Sequence, residues 1–146
     1  MAQSMRATLQ KTAEGFLISL GTRDLDIITS NYTEDFTQSV LPASIGKAPV
    51  GKEEFRTSEF TTAFFAFMDD LVFTIKTIVI DVETRKVSIY AHGGGKHKTG
   101  TYTNEFAFFL EMSEDGKRIR SVQEFMDVDS ARKLIGELVA YTESQK

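Results

Sequence analysis

The chain is 146 residues long and contains no cysteine, no tryptophan, two prolines and two histidines. Without cysteine there is no disulfide framework, no thiol nucleophile and no thiolate metal site. The two histidines, His92 and His97, are separated by four residues and lack a helical ligand register, so no metal site is expected. Lys and Arg number 17 against 21 Asp and Glu, a formal charge of −4. That balance leaves no basic footprint, and nucleic acid is not an expected partner. No apolar run is long enough to span a bilayer, so no membrane partner is expected. The opening MAQSMRATLQKTAEGF lacks the apolar stretch of a signal peptide, so the expected location is cytoplasmic. Gly93-Gly94-Gly95 is not followed by a helix start, which argues against a phosphate loop. No repeat, linker or low-complexity segment divides the chain, and one domain over residues 1–146 is expected.

Phenylalanine, by contrast, is abundant at 12 residues. Leu9, Ala13, Phe16, Leu17 and Leu20 recur at helical spacing, which predicts a helix over 4–20 that stops at Gly21. A short helix is expected from Asp24 to about Tyr32, then an extended segment broken by Pro42 and Pro49. A third helix is expected over about 52–69, with Phe55, Phe64 and Phe67 near one side and Arg56, Glu53 and Glu54 on its solvated side. Two strands around a polar turn near Glu83-Thr84-Arg85 follow, then a long hairpin over 100–128. A last helix runs from Ala131 to about Thr142, capped by Asp129 or Ser130. Early helices followed by four long antiparallel strands define an α+β class. A curved antiparallel sheet wrapped on the N-terminal helices would form a cone, with an apolar cavity that the phenylalanines line.

The hairpin carries the functional signal. Glu114-Asp115-Gly116 suits a three-residue loop with Gly116 left-handed, so Ser113 faces Lys117, Phe106 faces Glu124 and Asn104 faces Met126. One face then holds Tyr102, Asn104, Phe106, Phe108, Leu110, Val122, Glu124 and Met126, and is the more apolar. It should look inward, although it contains a carboxylate. A buried carboxylate is normally hydrogen-bonded, protonated or used. A two-residue Asp-Gly turn would instead send Glu124 to the opposite face.

The Leu41-Pro42 turn with Ser44 and Gly46, the strand Gly100-x-Tyr102-x-Asn104-Glu105-Phe106, the turn Glu114-Asp115-Gly116-Lys117 and the run Gln123-Glu124-Phe125-Met126-Asp127 together give the chain a familiar outline. It resembles the SnoaL-like branch of the nuclear-transport-factor-like cone fold, and within it the small fungal isomerases and cyclases of secondary metabolism. The resemblance covers nearly the whole chain. It implies a homodimer, no metal, no organic cofactor and acid–base chemistry inside the cone, on polyketide, xanthone or meroterpenoid intermediates. In semipinacolase-type members the polar pocket positions match Tyr102, Phe106, Glu124 and Gln38. This chain departs at two, with Phe106 in place of a tyrosine and Gln38 in place of an arginine, which removes a cation at position 38.

Expected roles follow. Glu124 is the proton carrier, its pKa raised by an apolar cavity. Tyr102 and Asn104 hold a carbonyl or enol oxygen without adding charge. His92 is a second shuttle, placed by the glycines after it on a mobile loop at the cone mouth. Gln38, Phe106, Phe64, Tyr90 and Met126 are expected against substrate. His97 is expected to be exposed, and Asp127 to cap the last helix, pair across a dimer or act catalytically. Ala107, Phe109 and Phe125, on the other sheet face, are expected at a homodimer contact. The leading function is a cofactor-free isomerase or cyclase acting on a polycyclic small molecule. The alternatives are a dehydratase like scytalone dehydratase and a non-catalytic binding cone.

Overall fold

The computed structural model describes residues 3–146. Its elements are α1 (Met5–Thr22), α2 (Leu25–Ser30), β1 (Tyr32–Leu41), a 3-10 turn (Ala43–Ile45), β2 (Val50–Gly51), α3 (Lys52–Thr57), α4 (Glu59–Phe67), β3 (Val72–Asp81), β4 (Lys86–His97), β5 (Gly100–Met112), β6 (Ile119–Met126) and α5 (Val128–Ser144). The class is α+β: one curved, unclosed six-stranded sheet in the order β2-β1-β6-β5-β4-β3, with the helices on its concave side and over its open end. Four antiparallel strands were expected. The segment before Pro42 adds a fifth, β1, which lies parallel to β6, and β2 pairs with β1 at the edge.

Helix α1 fills the concavity. Its Leu9, Ala13, Phe16, Leu17 and Leu20 are buried, and the Phe16 ring meets Phe108 of β5 edge-on at 5.4 Å. The helix runs past the expected stop at Gly21 and ends on Arg23, in the left-handed region at φ 57°. Gly21 serves a different need: a Cβ there would stand 2.8 Å from the Leu71 carbonyl, so only glycine lets α1 approach the start of β3. The third helix is two helices rather than one. Ser58 turns extended (ψ 127°) and caps α4 by accepting from the Thr61 amide, a bond that competes with continuing the helix. The last helix begins earlier than expected, because Asp127, not Asp129 or Ser130, accepts from the Ser130 amide.

The β5–β6 hairpin keeps its left-handed Gly116, at φ 76°, but its register differs from the expected one. The loop is longer, closed by the Ser113 amide on the Arg118 carbonyl, and the ladder then slips by one at a bulge between the Met112–Ile119 and Glu111–Ser121 pairs. Glu124 therefore faces Phe108, and Phe106 faces Met126. Two one-residue offsets restore the parity of side-chain alternation, so Glu124 still points inward.

The glycines 93–95 do not form a loop. They lie within β4, and Gly93 and Gly94 pair with Asn104 and Thr103 of β5. A Cβ on Gly93 would fall 2.5 Å from the Phe73 ring and one on Gly94 1.9 Å from the Tyr102 carbonyl. Here the strand passes too close to its neighbours for any side chain.

Candidate functional site

The concave face of the sheet, α1, α3, α4 and α5 enclose a cavity of about 710 Å³. Its wall is mostly aromatic and aliphatic, with Phe16, Phe55, Phe64, Phe73, Phe106 and Phe108 among the lining residues. Five of the expected site residues open onto it directly besides Phe106: Gln38 from β1, Phe64 from α4, Tyr102 from β5, and Glu124 and Met126 from β6. That volume suits a ligand of several fused rings.

Glu124 is the carboxylate set into this apolar wall. Its accessible surface faces the cavity rather than bulk water, so it is desolvated although not sealed. Burial raises its pKa to about 7, and Lys47 at the cavity wall pulls modestly the other way. The Gln38 amide donates to its Oε2 at 3.5 Å, a long bond. Arg120, a conceivable structural partner, points instead to Asp35 at 3.7 Å and Glu111 at 3.9 Å.

Tyr102 is buried, and burial pushes its phenol up to about 12, offset in part by a hydrogen bond from Asn104. It stays neutral in the ordinary pH range and keeps a proton to donate. The Asn104 Nδ2 donates to the Tyr102 hydroxyl at 2.8 Å and to the Asp127 carbonyl at 3.2 Å, while its Oδ1 accepts from the Asp127 amide at 3.1 Å. Asn104 does not line the cavity; its polar atoms are committed to tying β5 to the β6–α5 junction and to orienting Tyr102. It is a support for the phenol rather than an oxygen holder.

The expectations for His92 and Tyr90 are corrected. His92 lies mid-strand in β4, opposite Thr74 and Glu105, on the convex face of the sheet. Alternation puts Tyr90 on that face too, where its hydroxyl meets His92 Nε2 at 2.9 Å and donates to Glu105. Neither residue reaches the cavity, because β4 continues through the glycines instead of breaking into a mouth loop. His97 is buried, not exposed. Its ring stacks on Phe67 at 4.5 Å, and its Nε2 approaches Glu137 of α5 at 2.7 Å, close in distance but poorly aligned for a hydrogen bond. Asp127 is the cap of α5, and its carboxyl is held low by the Ser130 hydroxyl and amide.

Ser44, named above only as part of the turn after Pro42, also lines the cavity, as do Lys47, Glu54 and Arg132, which the sequence does not assign to a site. Glu54 was assigned to a solvated helix side, which it shares with the rim. Lys47 lies over the Phe60 ring at 3.9 Å, a cation–π contact between the loop before β2 and the start of α4. Nothing in the sequence marks these positions, since only the tertiary path of loop and helix brings them to the opening. Among the described residues no group of three or more His, Asp and Glu is arranged to hold a metal ion.

The curved, unclosed α+β sheet is the cone architecture of SnoaL-like structures. Residues 13–121 match the SnoaL-like domain family, and the chain belongs to it. Among individual proteins it is similar to Monooxygenase AgnL5 of Paecilomyces divaricatus, 30% identical over 86% of this chain and 74% of that protein. It is likewise 30% identical to Austinoid biosynthesis clusters protein F of Emericella nidulans, over 84% of this chain and 70% of that protein. Among solved structures, BvnE pinacolase from Penicillium brevicompactum superposes with a TM-score of 0.85 at 26% identity, covering 97% of each chain. The relatives are thus fungal secondary-metabolite proteins within a cone-fold family.

Proposed function

We propose that this protein is a cofactor-independent isomerase, with cyclisation as a variant of the same chemistry, acting on a polycyclic polyketide or meroterpenoid intermediate. The observation that carries this reading is a carboxylate with a pKa of about 7 in one apolar cavity with a neutral phenol donor. The Glu124 carboxylate takes a proton from carbon next to a substrate carbonyl. The electron pair moves onto the carbonyl oxygen, which the Tyr102 O–H stabilises, and Glu124 returns the proton at another carbon. Mass is unchanged, and no external electron donor or acceptor is needed. Gln38 steadies the carboxylate, while Phe64, Phe106 and Met126 shape the ring-binding wall. Support comes from the similarity to a pinacolase and to austinoid-cluster proteins.

A second reading has one specific support, the name monooxygenase carried by several relatives. The carbanion that Glu124 forms is also a species dioxygen can intercept, converting a CH₂ to a carbonyl with release of one water. The homodimer expected through the convex sheet face belongs to the same proposal, as does action in the cytoplasm. Phe109 and Phe125 are 42% and 45% exposed on that face, beside Tyr90.

The test is exchange and mass. Purified protein is incubated in D₂O with a panel of polycyclic ketones, and deuterium at the carbon next to the carbonyl is followed by mass spectrometry. Wild-type protein is expected to exchange it and Glu124→Gln to lose the exchange. In a parallel incubation in ordinary water, unchanged product mass supports isomerisation, loss of water a dehydratase, and gain of oxygen the second reading. Tight binding of the panel with no exchange would leave a carrier cone instead.

A further inference from the structure

Four charged side chains line the cavity, and they fall into two sets. Glu124 projects from β6 into the aromatic wall. Lys47 in the loop before β2, Glu54 on α3 and Arg132 near the start of α5 line the same cavity but are exposed to solvent. A side chain that meets both cavity and solvent belongs to the rim of the opening.

The rim cations are not neutralised by the protein. Among the described residues neither Lys47 nor Arg132 forms an ion pair, and Glu54 pairs with neither. The cations of α3 differ in this respect, since Lys52 pairs with Glu34 at 3.0 Å and Arg56 with Glu53 at 2.8 Å. Lys47 rests instead over the ring of Phe60, itself a rim residue, at 3.9 Å. At an exposed site such a contact is worth only about 0.5–1 kcal/mol, so an anion can share the ammonium or draw it away. Two cations against one carboxylate leave the rim net positive, whereas the charged group of the interior is an acid.

A cavity of this kind sorts a ligand by charge and sets its direction. Fused rings fill the aromatic interior, a negative group is drawn to the rim, and the Glu124 carboxylate repels that group from the deep end. We propose that the substrate is a polycyclic carboxylic acid, bound with its carboxylate on Lys47 at the rim and its reacting ketone inward, beside Tyr102 and Glu124. Arg132 adds to the positive potential, and Lys47 determines specificity. A single negative charge matches the net charge of the rim. A phosphate, with about two charges and three acceptor oxygens, would call for more donors than these two side chains present. The proposal rests on the isomerase reading of the cavity and names the substrate class for it.

The experiment is equilibrium dialysis of the purified protein with anthraquinone-2-carboxylate and, separately, with anthraquinone-2-carboxamide, a neutral probe of the same shape. Wild-type protein is expected to bind the acid about fivefold or more tightly than the amide at low salt. The preference should shrink as salt is raised to about 0.5 M, because exposed charges are screened. Lys47→Met should abolish the preference and Lys47→Arg should keep it. Arg132→Gln should lower it in part, and Glu54→Gln should raise it. Equal binding of the two probes by wild-type protein overturns the proposal, and so does a preference that survives in folded Lys47→Met. Failure of both probes to bind overturns it together with the polycyclic reading of the cavity. Neither probe carries a hydrogen on the carbon next to its ring ketones, so binding is read apart from catalysis. A charge preference in a protein that exchanges no deuterium upholds the rim and sinks the isomerase, whereas exchange without a charge preference does the reverse.

Discussion

At the scale of single residues the proposed chemistry turns on one carboxyl group, Glu124, which burial holds near pKa 7. Such a group is part ionised and part protonated in neutral solution, which suits a step that takes a proton and gives it back. Glu124→Gln keeps the shape and removes the titration, so turnover should fall by about 10²–10⁴-fold. Tyr102→Phe removes one oxygen donor, and a buried hydrogen bond of this kind is worth about 1–3 kcal/mol, roughly 10- to 100-fold in rate. The two losses should be less than additive if both act on one proton transfer, as a double-mutant cycle of kcat/KM will read. The same group makes a stability prediction. Its folded pKa lies above its unfolded value of 4.5, so the native state binds the extra proton and loses stability as pH rises from about 4.5 through 7. Glu124→Gln should therefore stabilise the fold above pH 7, by up to about 3 kcal/mol, with the gain disappearing below about pH 4.5. Denaturant melts of both proteins across that range check the sign. A gain that grows toward acid pH would contradict the burial of the carboxyl.

At the scale of elements, the site is built where β5, β6 and α5 meet. Asn104 bonds both the carbonyl and the amide of Asp127, and Asp127 in turn caps α5 through Ser130. Strand, junction and helix are joined by these three hydrogen bonds, and the Asn104 amide also donates to the Tyr102 hydroxyl at the cavity. Removing the cap with Asp127→Ala should cost about 1 kcal/mol and lower Tm by a few degrees. Because the Asp127 backbone atoms that Asn104 uses are retained, turnover should change far less than in Tyr102→Phe. A thermal melt paired with a turnover assay separates the effects, and a collapse of turnover in folded Asp127→Ala would give its carboxylate a part in the chemistry. Midway along α5, Glu137 comes within 2.7 Å of the His97 Nε2, and the His97 ring stacks on Phe67, so α5 meets the sheet again beyond the cavity wall it completes.

For the molecule as a whole, the two sheet faces have opposite characters. The concave face is filled by α1 and by the cavity, while the convex face leaves Val72, Val79, Phe109 and Phe125 between 42% and 66% exposed. Val79, Phe109 and Phe125 lie close together on that face, while the polar row Thr74, His92 and Glu105 sets Val72 apart. Exposed apolar side chains so grouped on a sheet call for a cover, and a second copy of the same face is the symmetric solution. Sedimentation velocity at micromolar concentration should therefore show a dimer. Phe125→Glu, which places a charge in the patch without touching the cavity, should shift it to monomer with an unchanged circular dichroism spectrum. A monomer in both proteins would count against the contact. Among the described residues no helix is long and apolar enough to cross a membrane.

Periodicity alone determined most of the elements. The apolar stripe of α1, the alternation in β3 to β6 and the left-handed turn at Gly116 are local consequences of side-chain spacing, and each is present. The inward direction of Glu124 was legible for the same reason, since it depends on strand parity. Its partner was not: the longer loop and the bulge moved the register by two, and a bulge is decided by how the twisted hairpin fits the rest of the sheet. Gly93, Gly94 and Gly95 read as a loop because glycine serves turns and close approaches alike, and only the nearness of Phe73, Tyr102 and Asp70 tells which applies. His92 and Tyr90 lie on the convex face because alternation along β4 turns Ile89 and Ala91 inward. The break at Ser58, the parallel pairing of β1 and the arrival of Lys47 and Arg132 at the cavity also belong to the tertiary structure. They are set by contacts between segments far apart in the chain, and local spacing carries no record of such contacts.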